Sequence, residues 1–241
     1  MFRHQGKTRT LSHNLKIASL LSFVAGMVNV GGFLAVQRLT TNVTGHFAFF
    51  VDELFKLDFW HGFVYFLYIF FFFLGSFVSG LLTEFVARKN ERLIYVLPVI
   101  IECIILLCVG LLYPYFIENS RPDPIAFSLL FAMGLQNSLV TTISNAAVRT
   151  THLTGLFTDL GIELAQLFFY KFPAHKVRLR SSIKLRFTIV GFFFLGGISG
   201  GLLYSLMNLH ILVIACALLL AGLVYDNIRF GVIRLKRKLR A

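Results

Sequence analysis

Six stretches of this chain are long and apolar enough to lie within a bilayer: residues 15–36, 60–86, 93–113, 124–147, 185–207 and 209–228. A hydrocarbon core about 30 Å thick needs about 20 apolar residues in helical form. Hydrophobic residues make up 57% of the 241 and the mean hydropathy is +0.77. Charged residues are 14%, against about 25% in a soluble domain. So little polar surface excludes a soluble globular fold, and so much apolar and aromatic content excludes disorder. The expected class is an all-α polytopic membrane protein. Cys103, Cys108 and Cys216 lie inside apolar runs with no Cys-x-x-Cys spacing, which excludes a disulfide scaffold and points to no metal or redox site. No cofactor is expected.

Two further apolar stretches, 43–57 and 153–170, are short and carry acids: Asp52 and Glu53 in the first, Asp159 and Glu163 in the second. Basic residues decide whether they cross. Twenty of the 23 Lys and Arg fall in four groups: the N-terminal segment, the 88–92 loop, residues 149–186 and the tail from Arg229 to Arg240. With six spans and a cytoplasmic N-terminus, all four groups lie on one side, as the positive-inside rule requires. If 43–57 also crossed, the 88–92 loop would move outside. The short segments are therefore expected to be re-entrant or interfacial. Met1 to Lys16 is too long and polar for a signal n-region, so the first span is expected to be retained. The tail, directly after a span, suits anionic lipid headgroups better than nucleic acid.

The halves repeat one another. Gly26-Met27-Val28-Asn29 matches Gly134-Leu135-Gln136-Asn137 at an offset of 108. Thr40-Thr41-Asn42-Val43-Thr44-Gly45 matches Thr150-Thr151-His152-Leu153-Thr154-Gly155 at 110, and Phe72-Phe73-Leu74-Gly75-Ser76 matches Phe193-Phe194-Leu195-Gly196-Gly197 at 121. Three spans per repeat is an odd number, so tandem copies insert in opposite orientations. The expected organisation is a basic N-terminus (1–14), a first repeat (15–118), a second repeat (119–228) and a basic tail (229–241). Inverted repeats in transporters meet at a midplane site built from interrupted helices. The two Thr-Gly segments are the corresponding interrupted elements.

Thr and Asn are strong N-caps, and a helix start presents oriented N–H donors and a positive dipole end. Asn29, Asn42, Thr44, Gly45, Asn137, His152, Thr154 and Gly155 are therefore the expected solute-site residues. The bland alternative is that each Thr cluster only caps a short helix, and that Asn29, Gln136 and Asn137 only bond helices together. Glu102 lies near the centre of the third span, where a charge costs about 2.5–3.5 kcal/mol on insertion scales. Asp159 and Glu163, four apart, share a helix face. These three acids are the expected coupling residues. Small residues four apart, Gly196/Gly200 and Gly75/Ser79, mark close helix packing against the other repeat or another copy of the chain, which leaves a homo-oligomer open. Phe70 to Phe73 are expected to face lipid.

Phe23-Val24-Ala25-Gly26, Asn42-Val43-Thr44-Gly45 and Arg149-Thr150-Thr151-His152-Leu153-Thr154-Gly155 with Thr158-Asp159-Leu160 resemble the YoaK family of bacterial inner-membrane proteins, over about 15–225. The resemblance implies a multi-pass inner-membrane protein. It supplies no reaction and no substrate. Many members resemble one another in carrying Asp where this chain has Asn29, a departure that removes one intramembrane carboxylate. The expected function is a secondary transporter or channel-like carrier of a small polar or anionic solute. The alternative is a non-transporting scaffold that binds protein partners or lipid. No nucleophile–base pair or metal-ligand set supports an enzyme.

Overall fold

The structure, a computed structural model, describes residues 10–89, 94–118, 122–170 and 172–238. The basic N-terminus before Thr10, Arg92, Arg121, Lys171 and the side chains of the basic tail lie outside the described residues. All regular structure among the described residues is helical. The α-helices are α1 (Leu11–Val36), α2 (Val43–Phe55), α3 (Phe59–Lys89), α4 (Val96–Glu118), α5 (Asp123–Ser144), α6 (Leu153–Phe169), α7 (Pro173–Met207) and α8 (Ile211–Lys238), with a 3-10 turn at Asn208–His210 before α8. The segments long and apolar enough to cross a membrane are Leu11–Val36, Phe59–Arg88, Val96–Ile117, Asp123–Ser144 and Pro173–Asp226. The last holds both α7 and α8. This is a multi-span helical bundle of the kind a polytopic membrane protein forms.

Local chemistry sets the helix ends. Asp58 caps α3 by accepting from the His61 N–H at 3.1 Å. Pro173 opens α7, where its missing N–H costs nothing. α1 stops at Gln37 and α5 at Asn145, both left-handed, at φ 51° and 54°. The Ala146 N–H then bonds Thr141, closing the end of α5 in the manner of a Schellman turn. The expected span 124–147 thus ends three residues early. The span expected to begin at 185 is the back part of a 35-residue helix, about 52 Å long. Its front carries Lys176, Arg178, Arg180, Lys184 and Arg186, and extends beyond what a bilayer covers.

α1 packs along α7 and α3 along α5, at matching glycines. A Cβ on Gly26 would stand 2.0 Å from the Phe193 carbonyl oxygen, and one on Gly196 would stand 2.0 Å from that of Phe23. In the other pair, Gly134 would meet the Phe72 oxygen at 2.2 Å and Gly75 that of Phe131 at 2.1 Å. Backbones approach this closely only without side chains between them. Gly200 lies against Met27 in the same groove. Of the two partners the small-residue spacing allows, the other repeat or another copy of the chain, these glycines pack against helices of the same chain. α1 and α5 form the centre, with 61% of their apolar windows buried, whereas α3 has 22% and lies at the periphery. Its outward stripe of Phe59, Phe63, Phe66, Phe70, Phe73 and Phe77 presents aromatic rings to lipid. Phe71 instead stacks on Phe127, and Phe72 faces the interior, so the four-Phe run is only partly a lipid face.

Candidate functional site

After α1 and after α5 the chain turns back on the helix it has just left. Thr41 donates to the Asn29 side chain at 2.6 Å, and Thr40 donates to the Val28 carbonyl at 3.2 Å. In the second half the Asn137 amide donates to Thr151 at 2.7 Å, and the Thr150 hydroxyl donates to the Gln136 carbonyl at 3.1 Å and lies 3.2 Å from the Asn137 carbonyl. Asn29 lies eight residues before Gln37, and Asn137 eight before Asn145, so each turn returns about 12 Å along its helix. One reading of the Thr/Asn clusters is that they cap the following helices, but the Thr pairs themselves do not. They staple the turns to the preceding helices instead, because Asn29, Gln136 and Asn137 offer polar partners in otherwise apolar spans. Capping falls to Asn42, which accepts from the Gly45 N–H at 3.2 Å. His152 holds the matching place before α6 and makes no side-chain cap bond.

The turns meet around one cavity of about 240 Å³, lined by Thr41, Asn42, Val43, Thr44, Phe72, Asn137, Thr141, Arg149, Thr151 and His152. Of the expected site residues, the fold brings Asn42, Thr44, Asn137 and His152 to its wall. Asn29 is one bond behind, holding Thr41. Gly155 lines an adjoining cavity of about 330 Å³ with Ala146, Ala147, Leu156, Asp159 and Arg186; Arg149 and His152 border both. Gly45 and Thr154 are not among the lining residues of either cavity. The glycines serve packing. A Cβ on Gly45 would stand 2.4 Å from the Leu39 side chain, and one on Gly155 would stand 2.2 Å from the His152 ring.

Arg149 is the residue that sequence reasoning passed over. In the sequence it is one of the positive charges that set orientation and the first residue of the Arg149–Gly155 motif, but not a candidate site residue. Among the described residues no carboxylate pairs with it, and none lines the cavity between the turns. A usable signal was its place directly before the second Thr pair, where the first half has Leu39.

The expected coupling acids separate into two environments. Arg186 on α7 reaches Asp159 at 2.8 Å and Glu163 at 2.8 and 3.1 Å, and Ser182 donates to Glu163 at 2.6 Å. Both acids of α6 are therefore tied to α7 and do not stand as a free pair. Spacing showed that they share a face, but not that an arginine 23 residues later faces them. Glu53, which matches Glu163, bonds Lys56 at 3.2 Å on the opposite end of the bundle. There Tyr68 donates to Asp123, Arg38 hydrogen-bonds the Tyr68 hydroxyl, and buried His46 lies against the Tyr68 ring at 4.7 Å. Glu102 is 1% exposed and accepts from the Gln136 amide at 2.8 Å.

A family model described as "Protein of unknown function (DUF1275)" matches residues 17–225. Comparison with curated proteins and with solved structures returns no match. The match spans most of the chain and includes α1 from Ile17 onward, both Thr-Gly turns, the glycine contacts between helices and the cavity between the turns. The chain belongs to the DUF1275 family, whose domain is the hallmark of the YoaK proteins.

Proposed function

We propose that this protein is a membrane carrier of a small anionic or polar solute, held in the cavity between the two Thr-Gly turns. The observation that carries the reading is the cavity itself, bounded by Thr41–Thr44 from one half and Arg149, Thr151 and His152 from the other. Its polar groups are hydroxyls, amides, an imidazole, the start of α2 and one guanidinium. Arginine and a helix N-terminus both favour negative charge. A volume of about 240 Å³ admits an inorganic anion or a short carboxylate rather than a large metabolite.

The architecture we propose around it is six spans in two inverted three-span repeats, with α2 and α6 as re-entrant helices and both termini cytoplasmic in the bacterial inner membrane. Matched glycine contacts and matched turn bonds support the repeat. The lopsided distribution of basic residues supports the orientation. On this model Leu57→Cys reacts with an impermeant maleimide from outside and Ser181→Cys only from inside.

Transport is tested with protein reconstituted in liposomes loaded with phosphate, sulfate, nitrate or a short carboxylate. Flux of at least one, reduced at least tenfold in Arg149→Gln and Thr44→Ala while the variants stay monodisperse, is the expected result. Folded protein that binds and moves none of them would favour the scaffold reading.

A further inference from the structure

The Glu102 carboxylate makes a single hydrogen bond although almost wholly enclosed. Its Oε1 accepts from Gln136, and its Oε2, also buried, has no partner. The chain of bonds continues. The Gln136 carbonyl accepts from Thr150, the Thr150 hydroxyl also faces the Asn137 carbonyl, and the Asn137 amide donates to Thr151 on the cavity wall. The first half has no such link, because Val28 replaces Gln136 and Thr40 bonds the Val28 main chain. The turn can therefore be held without an acid, so Glu102 and Gln136 are an addition that stapling does not require. We propose that Glu102 is the binding site for a coupling proton, and that Gln136 transmits its occupancy through Thr150 to the solute cavity; this deepens, and rests on, the carrier reading above.

The switch follows from donor and acceptor counts. An ionised carboxylate only accepts, so the Gln136 NH2 faces it and the Gln136 carbonyl faces the Thr150 hydroxyl. When a hydronium ion delivers a proton, one O–H bond forms on the carboxylate and water leaves. The acid then holds a donor in apolar surroundings, and the acceptor in reach is the Gln136 carbonyl. The amide turns over, its NH2 faces Thr150, and the Thr150 proton goes to Asn137. Deprotonation reverses each step. Among the described residues, the titratable groups that interact with this acid are Cys103 beside it and, through that thiol, Cys216 on α8. α3 brings none, and α5 presents the uncharged Gln136. A metal cation would need about six oxygen ligands, whereas a proton needs one.

The test uses the full chain in nanodiscs and needs no solute. Infrared spectra across pH 4–10 follow the protonated carboxyl band that Glu102→Gln removes. In a Cys108→Ser background, Thr44→Cys reports on the cavity through its rate of reaction with N-ethylmaleimide. The ratio of that rate with Glu102 to the rate with Glu102→Gln cancels the thiol's own titration. The expected ratio is near one where the band is present and departs at least threefold where it vanishes. Gln136→Leu should keep the band and flatten the ratio. A flat ratio while Glu102 titrates, or no titration between pH 4 and 10, overturns the proposal. A coupled cavity in a protein that moves none of the anions would instead overturn the carrier reading and leave the proton site standing.

Discussion

Gly26 lies so close to Phe193 that a Cβ on the glycine would stand 2.0 Å from the phenylalanine's carbonyl oxygen. Gly134 repeats the relationship with Phe72 at 2.2 Å. Neither obstacle is a flexible side-chain tip, so relief requires the helices to part. Gly26→Ala and Gly134→Ala should each destabilise by about 1–3 kcal/mol or more. Gly191→Ala and Gly80→Ala, with nothing within 4 Å, should be neutral or slightly stabilising in detergent melts. Equal melting of all four would show that the close approach is not needed.

The stapling bonds predict a milder effect. Interhelical polar bonds in membranes average about 0.6 kcal/mol, so Thr41→Val and Thr151→Val should fold. Each should nonetheless release its turn, which is observable as faster N-ethylmaleimide labelling of Asn42→Cys or His152→Cys. Unchanged labelling in both would mean that the turns are held by packing alone.

Arg186 ties α6 to α7 at two acids of unequal burial. Asp159 is 52% exposed and Glu163 is 14% exposed. Solvent screens the first pair to about 0.2–1 kcal/mol. A double-mutant cycle should therefore give a larger coupling for Arg186 with Glu163 than with Asp159. The reverse order would contradict the geometry.

The three thiols report on burial directly. Cys108 is exposed on α4, whereas Cys103 and Cys216 are buried. A lipid-soluble maleimide should modify Cys108 in the native protein, and the other two only after denaturation. Mass spectrometry of digested protein distinguishes the sites.

The corner between α2 and α3 has a built-in reporter, because the one tryptophan, Trp60, lies two residues from Asp58. The hydrogen bond from the His61 ring holds the Asp58 carboxyl below its usual range. A depressed carboxyl supports the cap above the unfolded pKa of about 3.9, and the support is lost as pH falls through the folded value. Trp60 fluorescence should show an acid transition below about pH 4. Asp58→Asn should flatten that acid transition.

Helix type and the places of α2 and α6 were legible in the sequence. Long apolar runs have one low-energy solution in lipid, and the acids marked where those runs were interrupted. The starts of α2 at Val43 and α6 at Leu153 coincide with the Thr-Gly motifs. The start of α7 was not legible, because hydropathy reports what lipid covers while helix propensity carried the chain back to Pro173. The roles within the motifs were only half legible. A motif identifies polar groups but not their partners, and the partners of Thr41 and Thr151 lie 12 and 14 residues back on another element.

The sequence by itself determined a helical membrane bundle, because charge scarcity and apolar run length leave the backbone no other way to satisfy its hydrogen bonds. Residue identities alone also align the two Thr-Gly segments, at an offset of 110. Only the tertiary structure decided that Thr41–Thr44 and Arg149–His152 share one cavity, that Arg186 claims both acids of α6, and that Glu102 reaches the turn through Gln136. Those are distances between side chains far apart in the chain. They follow from how α1 crosses α7 and α3 crosses α5 at their glycines; the small-residue spacing marked close packing but not which helix would be the partner.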